Sequence, residues 1–346
     1  MKYEKMRLKK NHKKNNIKKF KTKSHKRHKR TFCIYIAFFI TLISLIISFT
    51  FIIQKNNKYK IYQNMNITQF IKDEINLDDN ACEFIKYKLK TRTQPFEYEN
   101  ELIFFTSLIS CKIPFSFIRF GDAEEHILTG KALHSKLDNW YYDPNNTENK
   151  KLRESLIESA SIYTTKNNFI TIPCKNWIKY SKSILSFSNC TSSKYMSYAT
   201  LFINKNFQTF QNWLIRFLDN PNRWKIILIA NSVIKKNISW AYKYFPVPDH
   251  LIDNWDQIST TLMPKLIEEA KQNELIFFVS AGAVADVIVS KLIKINNKNI
   301  YIDFGSSIEL ITKGYSTRSY AKKGDLYANK GCETFILKDK EIIYEY

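Results

Sequence analysis

Phe115–Gly130, FSFIRFGDAEEHILTG, decides how the rest of the chain is read. Phe115, Phe117 and Ile118 make a short apolar run of strand character that ends in Arg119, Phe120 and Gly121. Asp122 and Glu124 follow two apart, with Glu125 directly behind. In extended backbone, residues i and i+2 project to the same side, so an extended 122–124 aims two carboxylates at one point. Such a pair repels unless a cation sits between its members. Oxygen ligands with open positions suit Mg²⁺ or Mn²⁺, which are commonly held by one or two carboxylates together with substrate phosphates. Arg119 adds a planar cation matched to phosphate oxygens, and Gly121 lets a ligand approach the main chain. The alternative reading of the same residues is a solvated turn or a helix N-terminus, where the macrodipole favours Asp and Glu.

The rest of the chain supplies the setting. It has 346 residues, 44% of them hydrophobic and 15% aromatic, enough for a substantial core. The formal net charge of +22 is unevenly spread: residues 1–30 hold 15 Lys/Arg against Glu4, a balance of +14, which leaves +8 for everything else. This is a mildly basic body behind a very basic tail, and no nucleic-acid partner is expected of it. Residues 31–53, TFCIYIAFFITLISLIISFTFII, carry no charge. As a helix they span about 35 Å, enough for a hydrocarbon core. A cleaved signal peptide has a shorter apolar region, about 7–15 residues, and small residues at its cleavage site. The tail stays cytoplasmic by the positive-inside rule. The expectation is a single-pass signal anchor at 31–53, with residues 54–346 on the far, luminal or extracytoplasmic, side. The tail doubles as a contact for anionic lipid.

Cys33 lies in the span, which leaves Cys82, Cys111, Cys174, Cys190 and Cys332, without a C-x-x-C. An odd number outside the membrane permits at most two disulfides and one free thiol. Sequons at Asn66, Asn145, Asn189 and Asn237 agree with a secretory lumen and a glycoprotein.

Beyond a polar stem at 54–65, helices are expected over Ile67–Ile75, Cys82–Leu89 and Glu99–Ser110, before Pro114. Trp140–Asn146, WYYDPNN, reads as an aromatic loop able to stack a base or a sugar, or to pack on the body. Helix and strand then alternate: helices at Glu148–Tyr163, Phe207–Leu218, Ser259–Gln272 and Ala283–Ile295, strands at Asn168–Pro173, Trp224–Ala230, Glu274–Ser280 and Asn299–Asp303. Continuous apolar runs such as WKIILIA and ELIFFVS suit strands covered on both faces. The fold expected is α/β, a mainly parallel Rossmann-like sheet with helices on both faces. The domains expected are 1–30, tail; 31–53, anchor; 54–97, stem and N-terminal helices; and 98–346, the functional body.

Ligands of such sheets sit beyond the carboxyl ends of the strands. That edge collects Asp122 and Glu124, then Asn231 and Ser232, then Ser280, Ala281 and Gly282, then Asp303, Gly305, Ser306 and Ser307. The Ser280–Gly282 turn opens a helix, whose N-terminal amides accept phosphate.

RFGDAEEHILTG resembles the signature of the GT-D type glycosyltransferases, roughly R-F-G-D-G-E after a strand, with Ala123 where that family usually has Gly. VSAGAVADVIVSKL, YIDFGSS and TKGYSTRSY resemble the C-terminal blocks of the same proteins, and FPVPDHLIDNWDQI a connector of some members. The likeness runs in order over about 98–320. It implies that Asp122 and Glu124 serve a metal and nucleotide-sugar site. It also implies that Gly282, Asp303, Gly305 and Ser306 line this site, with Arg318 a possible phosphate partner. The function implied is transfer of a sugar from a nucleotide sugar, a UDP-sugar by resemblance, to a glycan or glycoprotein acceptor with Mn²⁺ or Mg²⁺. Arg119 and amides near Gly282 would neutralise the leaving diphosphate, and Glu125, Asp303 and Glu309 are candidates for the base. Two rival readings stand beside it. One is a carboxylate-dependent hydrolase of sugar or phosphate esters. The other is a non-catalytic, membrane-anchored binding protein.

Overall fold

The computed structural model describes residues 38–344 except 55, 59, 64, 72–74, 136–139, 162–166, 221–222, 235, 249–250 and 323–327. The basic tail, Cys33 and the start of the uncharged span therefore lie outside the described residues. The chain divides into two units, Met1–Asn64 and Met65–Tyr346. In the first, helix α1 (Phe38–Gln63) has 26 residues, exposed throughout 38–54, and by length and composition it can cross a membrane. The helix runs on through residues expected to form a stem.

The second unit opens with α2 (Ile67–Phe70), α3 (Asp79–Thr91) and α4 (Tyr98–Ser110). Asp78 caps α3 by accepting the Ala81 N–H at 2.7 Å, and a Cys82–Cys111 disulfide, Cα atoms 5.5 Å apart, ties α3 to the end of α4. There follow β1 (Phe115–Arg119), α5 (Asp122–Thr129), a hairpin of β2 (Leu133–Ser135) and β3 (Trp140–Tyr142), α6 (Thr147–Ser161), β4 (Asn168–Ile172), α7 (Ile178–Phe187) and β5 (Met196–Tyr198). Then come α8 (Phe207–Leu218), β6 (Lys225–Asn231), β7 (Lys243–Val247) and α9 (Trp255–Gln257), which passes through a π-helical turn, Ile258–Leu262, into α10 (Met263–Ala270). The chain closes with β8 (Leu275–Ser280), α11 (Val284–Ile295), β9 (Ile300–Asp303), α12 (Glu309–Thr312) and a hairpin of β10 (Phe335–Lys338) and β11 (Glu341–Tyr344). The aromatic part of the segment expected as a loop, Trp140–Tyr142, is strand β3, whose Trp140 pairs with Ser135, and residues 143–146 form the turn.

Seven strands form one sheet in the order β5-β4-β1-β9-β8-β6-β7, and every pairing in it is parallel. The expected α/β architecture is observed. Its inner strands are buried on both faces, which is why they read as unbroken apolar runs. β7 carries Pro246, a residue without an N–H, and an edge position is where a strand accommodates one.

The two helical layers meet the sheet differently. Phe117 and Phe278 both lie beside Ile302, so they share a face. That face is aromatic: Phe105 of α4 meets Phe117 at 4.8 Å, and Phe217 of α8 meets Phe278 at 6.4 Å. α11 packs with α6 and α10, and α5 with α6 and α7, as the other layer. β1 leads into α5 on that second layer. β9 exits the opposite way, where Gln211 of α8 donates to the Ser307 carbonyl at 2.7 Å. Adjacent strands whose chains leave to opposite faces open a crevice between them, and ligands of such sheets bind there. In this fold the crevice lies between the ends of β1 and β9.

Candidate functional site

Helix α5 begins at Asp122, directly after the strand, so residues 122–124 are not extended. Glu124 is the third helical residue and reaches back to accept the Gly121 N–H at 2.7 Å, one half of a capping box. A Cβ on Gly121 would sit 3.0 Å from that carboxylate, so the close return of Glu124 depends on glycine. Asp122, in the first helical position, is exposed, while Glu124 is 5% exposed. Two residues apart on a helix is a turn of about 200°, and the pair does not converge.

Arg119 ends β1 in the crevice. Its Nε is 3.7 Å from Oδ2 of Asp303, the last residue of β9. Asp303 also accepts the Gly305 N–H at 2.8 Å through Oδ1. Gly305 has φ +51°, and a Cβ there would fall 2.6 Å from the guanidinium carbon of Arg119 and nearer still to one of its nitrogens. The guanidinium is thus packed flat against bare backbone. Beside it, Ser306 shares a 2.7 Å hydrogen bond with the Tyr320 hydroxyl, and Arg318 also acts on Tyr320.

Three buried carboxylates act on Arg119: Asp303, Glu124 and Asp286 of α11. Burial pushes the Glu124 carboxyl up to about 7, against the opposing pull of Arg119 and of main-chain amides. Burial raises Asp303 to about 6 although Arg119 and the Gly305 amide favour its charge. Burial, then Glu124 and Asp303, lift Asp286 well above the ordinary carboxylate range. For Arg119, burial works against the charge, but Asp303, Glu124, Tyr320 and Asp286 outweigh it and its pKa rises. The cluster is a cation embedded in excess negative charge, which holds protons tightly.

Of the residues expected at the site, Arg119, Gly121, Glu124, Asp303 and Gly305 come together, with Ser306 and Arg318 on the Tyr320 flank. Ser280 ends β8 half-buried, and Gly282, φ +51°, has nothing within 4 Å of where a Cβ would point, so the approach to α11 is open there. Glu125 turns instead to Lys131 and His126, at 3.3 and 3.5 Å. Glu309 pairs with Lys313 at 3.2 Å and accepts from Ser316 at 3.0 Å. Asn231 caps its own turn, accepting the Val233 N–H at 2.7 Å. Sequence reasoning missed Asp286 and Tyr320. The signal for the first is a carboxylate in the first turn of an otherwise apolar helix start, VADVIV.

Glu124 accepts the Gly121 amide through one carboxylate oxygen, and an Mg²⁺ or Mn²⁺ held by both Asp122 and Glu124 would take the other. Among the described residues, no group of three or more His, Cys, Asp or Glu is placed to hold a metal.

No protein-family model matches the chain, and no curated protein matches it. Two solved structures are similar over 72% of this chain and 88% of their own, each with a TM-score of 0.40. One, 16% identical, is described as a selenomethionine-substituted structure of domain of unknown function 1792. The other, 17% identical, is described as that highly conserved domain, with a distinct glycosyltransferase fold. The likeness is remote, and the reading of the site rests on the chain's own residues.

Proposed function

We propose that this protein is a membrane-anchored glycosyltransferase that takes its sugar from a nucleotide sugar, with a UDP-sugar the first candidate on the resemblance of RFGDAE. The observation that carries the reading is Arg119: a cation fixed against the bare backbone of Gly305, at the crevice where such sheets bind ligands. Sugar transfer from a nucleotide sugar breaks the bond between the anomeric carbon and the diphosphate, and negative charge gathers on the leaving oxygens. A guanidinium presented there, with the amides at the open start of α11 near Gly282, favours the departing diphosphate over the intact donor. Of the three base candidates, Glu125 pairs with Lys131 and His126 and Glu309 with Lys313, away from Arg119. Asp303 is the one that pairs with Arg119 at the strand ends, and a carboxyl near 6 is matched to proton transfer around neutral pH. A divalent ion enters this proposal in a restricted form. Asp122, which is exposed, would meet an ion arriving with the diphosphate, and Glu124 would join through the carboxylate oxygen that Gly121 does not engage.

The test is a screen of the full-length protein in detergent against nucleotide sugars, with and without Mn²⁺, scoring release of nucleoside diphosphate. The expected result is release from at least one donor. Asp122→Asn and Glu124→Gln are expected to lower it on the order of a hundredfold, about 2.7 kcal/mol of transition-state stabilisation. Asp79→Asn, outside the site, should change little. No release from any donor, or wild-type release by both motif variants, sinks the reading.

The anchor belongs to the same proposal. Cys174–Cys332, Cα atoms 5.2 Å apart, and Cys82–Cys111 are disulfides, which persist in oxidising compartments. That supports placing the body across the membrane from the basic tail. Protease added outside sealed vesicles, with the tail facing out, should trim residues 1–30 and spare the body. Digestion of the body under those conditions reverses the orientation.

A further inference from the structure

Asp286 is fully buried, and neither of its carboxylate oxygens has a hydrogen-bond partner. It is the only carboxylate of α11, whose other first-turn residues, Val284, Ala285 and Val287, are apolar core. The charged groups that face it come from three elements: Arg119 of β1, Glu124 of α5 and Asp303 of β9. The main chain of Arg119 is the polar neighbour that favours its charged form.

A carboxylate in that position is costly. It gives up water and has in return only the main chain of Arg119 to favour its charge, and well-packed apolar groups in place of buried charges are often neutral or stabilising. An apolar residue would complete the helix face at no such cost. Nor does Asp286 cap α11, since it donates and accepts nothing there. What it does have is the influence of Arg119, on a helix that packs against the strand Arg119 ends.

We propose that Asp286 is a positioning residue for Arg119. With Asp303 and Glu124 it supplies the negative charge that acts on the guanidinium, and it ties that charge to the first turn of α11, which packs against β1 and β9. This coupling of strand end and helix start fixes the direction in which Arg119 meets its anionic ligand, relative to the helix amides that meet the same ligand. Asp286 itself, being fully buried, touches no ligand. The inference rests on reading Arg119 as the cation for the leaving diphosphate.

Two measurements test it. The first is kinetic: Asp286→Asn and Asp286→Leu in the full-length protein, compared with wild type for donor hydrolysis and for melting temperature. Displacing a positioned group by an ångström can cost on the order of a hundredfold, so kcat is expected to fall on that scale while KM changes little. Melting temperature is expected to hold or rise. Wild-type kcat in both variants overturns the proposal, and so does a fall in melting temperature that accounts for the lost activity. The second is a double-mutant cycle in urea between Arg119→Met and Asp286→Asn, which needs no substrate. Asp286→Asn is expected to recover a large part of the midpoint lost in Arg119→Met, because it removes a charge left without its cation. Strict additivity of the two changes overturns the proposal. If the cycle shows coupling and no donor is hydrolysed, it is the transferase reading that fails, not the pairing of Asp286 with Arg119.

Discussion

Gly305→Ala is expected to remove donor hydrolysis almost entirely and to destabilise the body by about 2–5 kcal/mol. Two costs add at this position. The backbone has φ +51°, where an L side chain pays about 1–2 kcal/mol. The new methyl would also lie 2.6 Å from the Arg119 guanidinium carbon, so either the loop or the arginine must move. Moving the arginine breaks its alignment with Asp303 and leaves buried carboxylates without their cation. Gly282→Ala separates the two costs, since Gly282 has the same φ of +51° and open space where the methyl would go. Urea unfolding of both variants is the measurement. Equal losses would show that Arg119 is not packed on Gly305 as described, and a larger loss at Gly305 measures that contact.

Arg119→Met is the second large change, and its signature is in the pH dependence. Burial already holds Glu124 at about 7 and Asp303 at about 6, and for both the arginine is the largest opposing influence. Without it their pKa values rise further. A carboxyl whose folded pKa is raised contributes stability that is fully present below its unfolded value, about 4, and is lost as pH climbs through the folded value. Removing one partner of a buried ion pair costs about 3–5 kcal/mol when the other stays charged. The deficit of Arg119→Met is therefore expected to be near that size at pH 8. It should shrink by pH 5, where the carboxyls take up protons. Melting curves of variant and wild type at the two pH values decide it. A deficit of constant size would mean that the carboxylates do not depend on Arg119.

These predictions draw on residues of unequal legibility. The alternation of helix and strand, and the double burial of WKIILIA and ELIFFVS, are legible because a parallel sheet demands unbroken apolar runs. The strands without such runs are the ones missed. β5 has three residues, β7 carries a proline at the edge, and β3 lies in a segment whose Asp-Pro-Asn tail reads as a turn. At the organising motif, the residues were identified but their geometry was not. A Glu three residues after Gly121 is the mark of a helix start, whereas side chains two apart share a side only in extended backbone. Asp286 was hidden for a different reason. Whether one carboxylate in an apolar helix faces water or the core depends on which strands lie beneath it, and that depends on the strand order. Strand order also brings Arg119 and Asp303 side by side, and no local pattern encodes it.

The strand order has a consequence for how the protein comes into being. β1 is the first strand made and β9 the last of the large sheet, yet they are neighbours at its centre. Until β9 arrives, the sheet exists only as two fragments, β5-β4-β1 and β8-β6-β7. Each has an unpaired inner edge of the kind that seeks other strands. The pairing of β9 with β1 is the most distant in the sheet, which makes this step slow. A chain cut short before Asp303 keeps Arg119 and the whole RFGDAE motif but has no crevice to put them in. An unfinished copy is therefore sticky, and the crevice exists only when the final central strand zips the halves together.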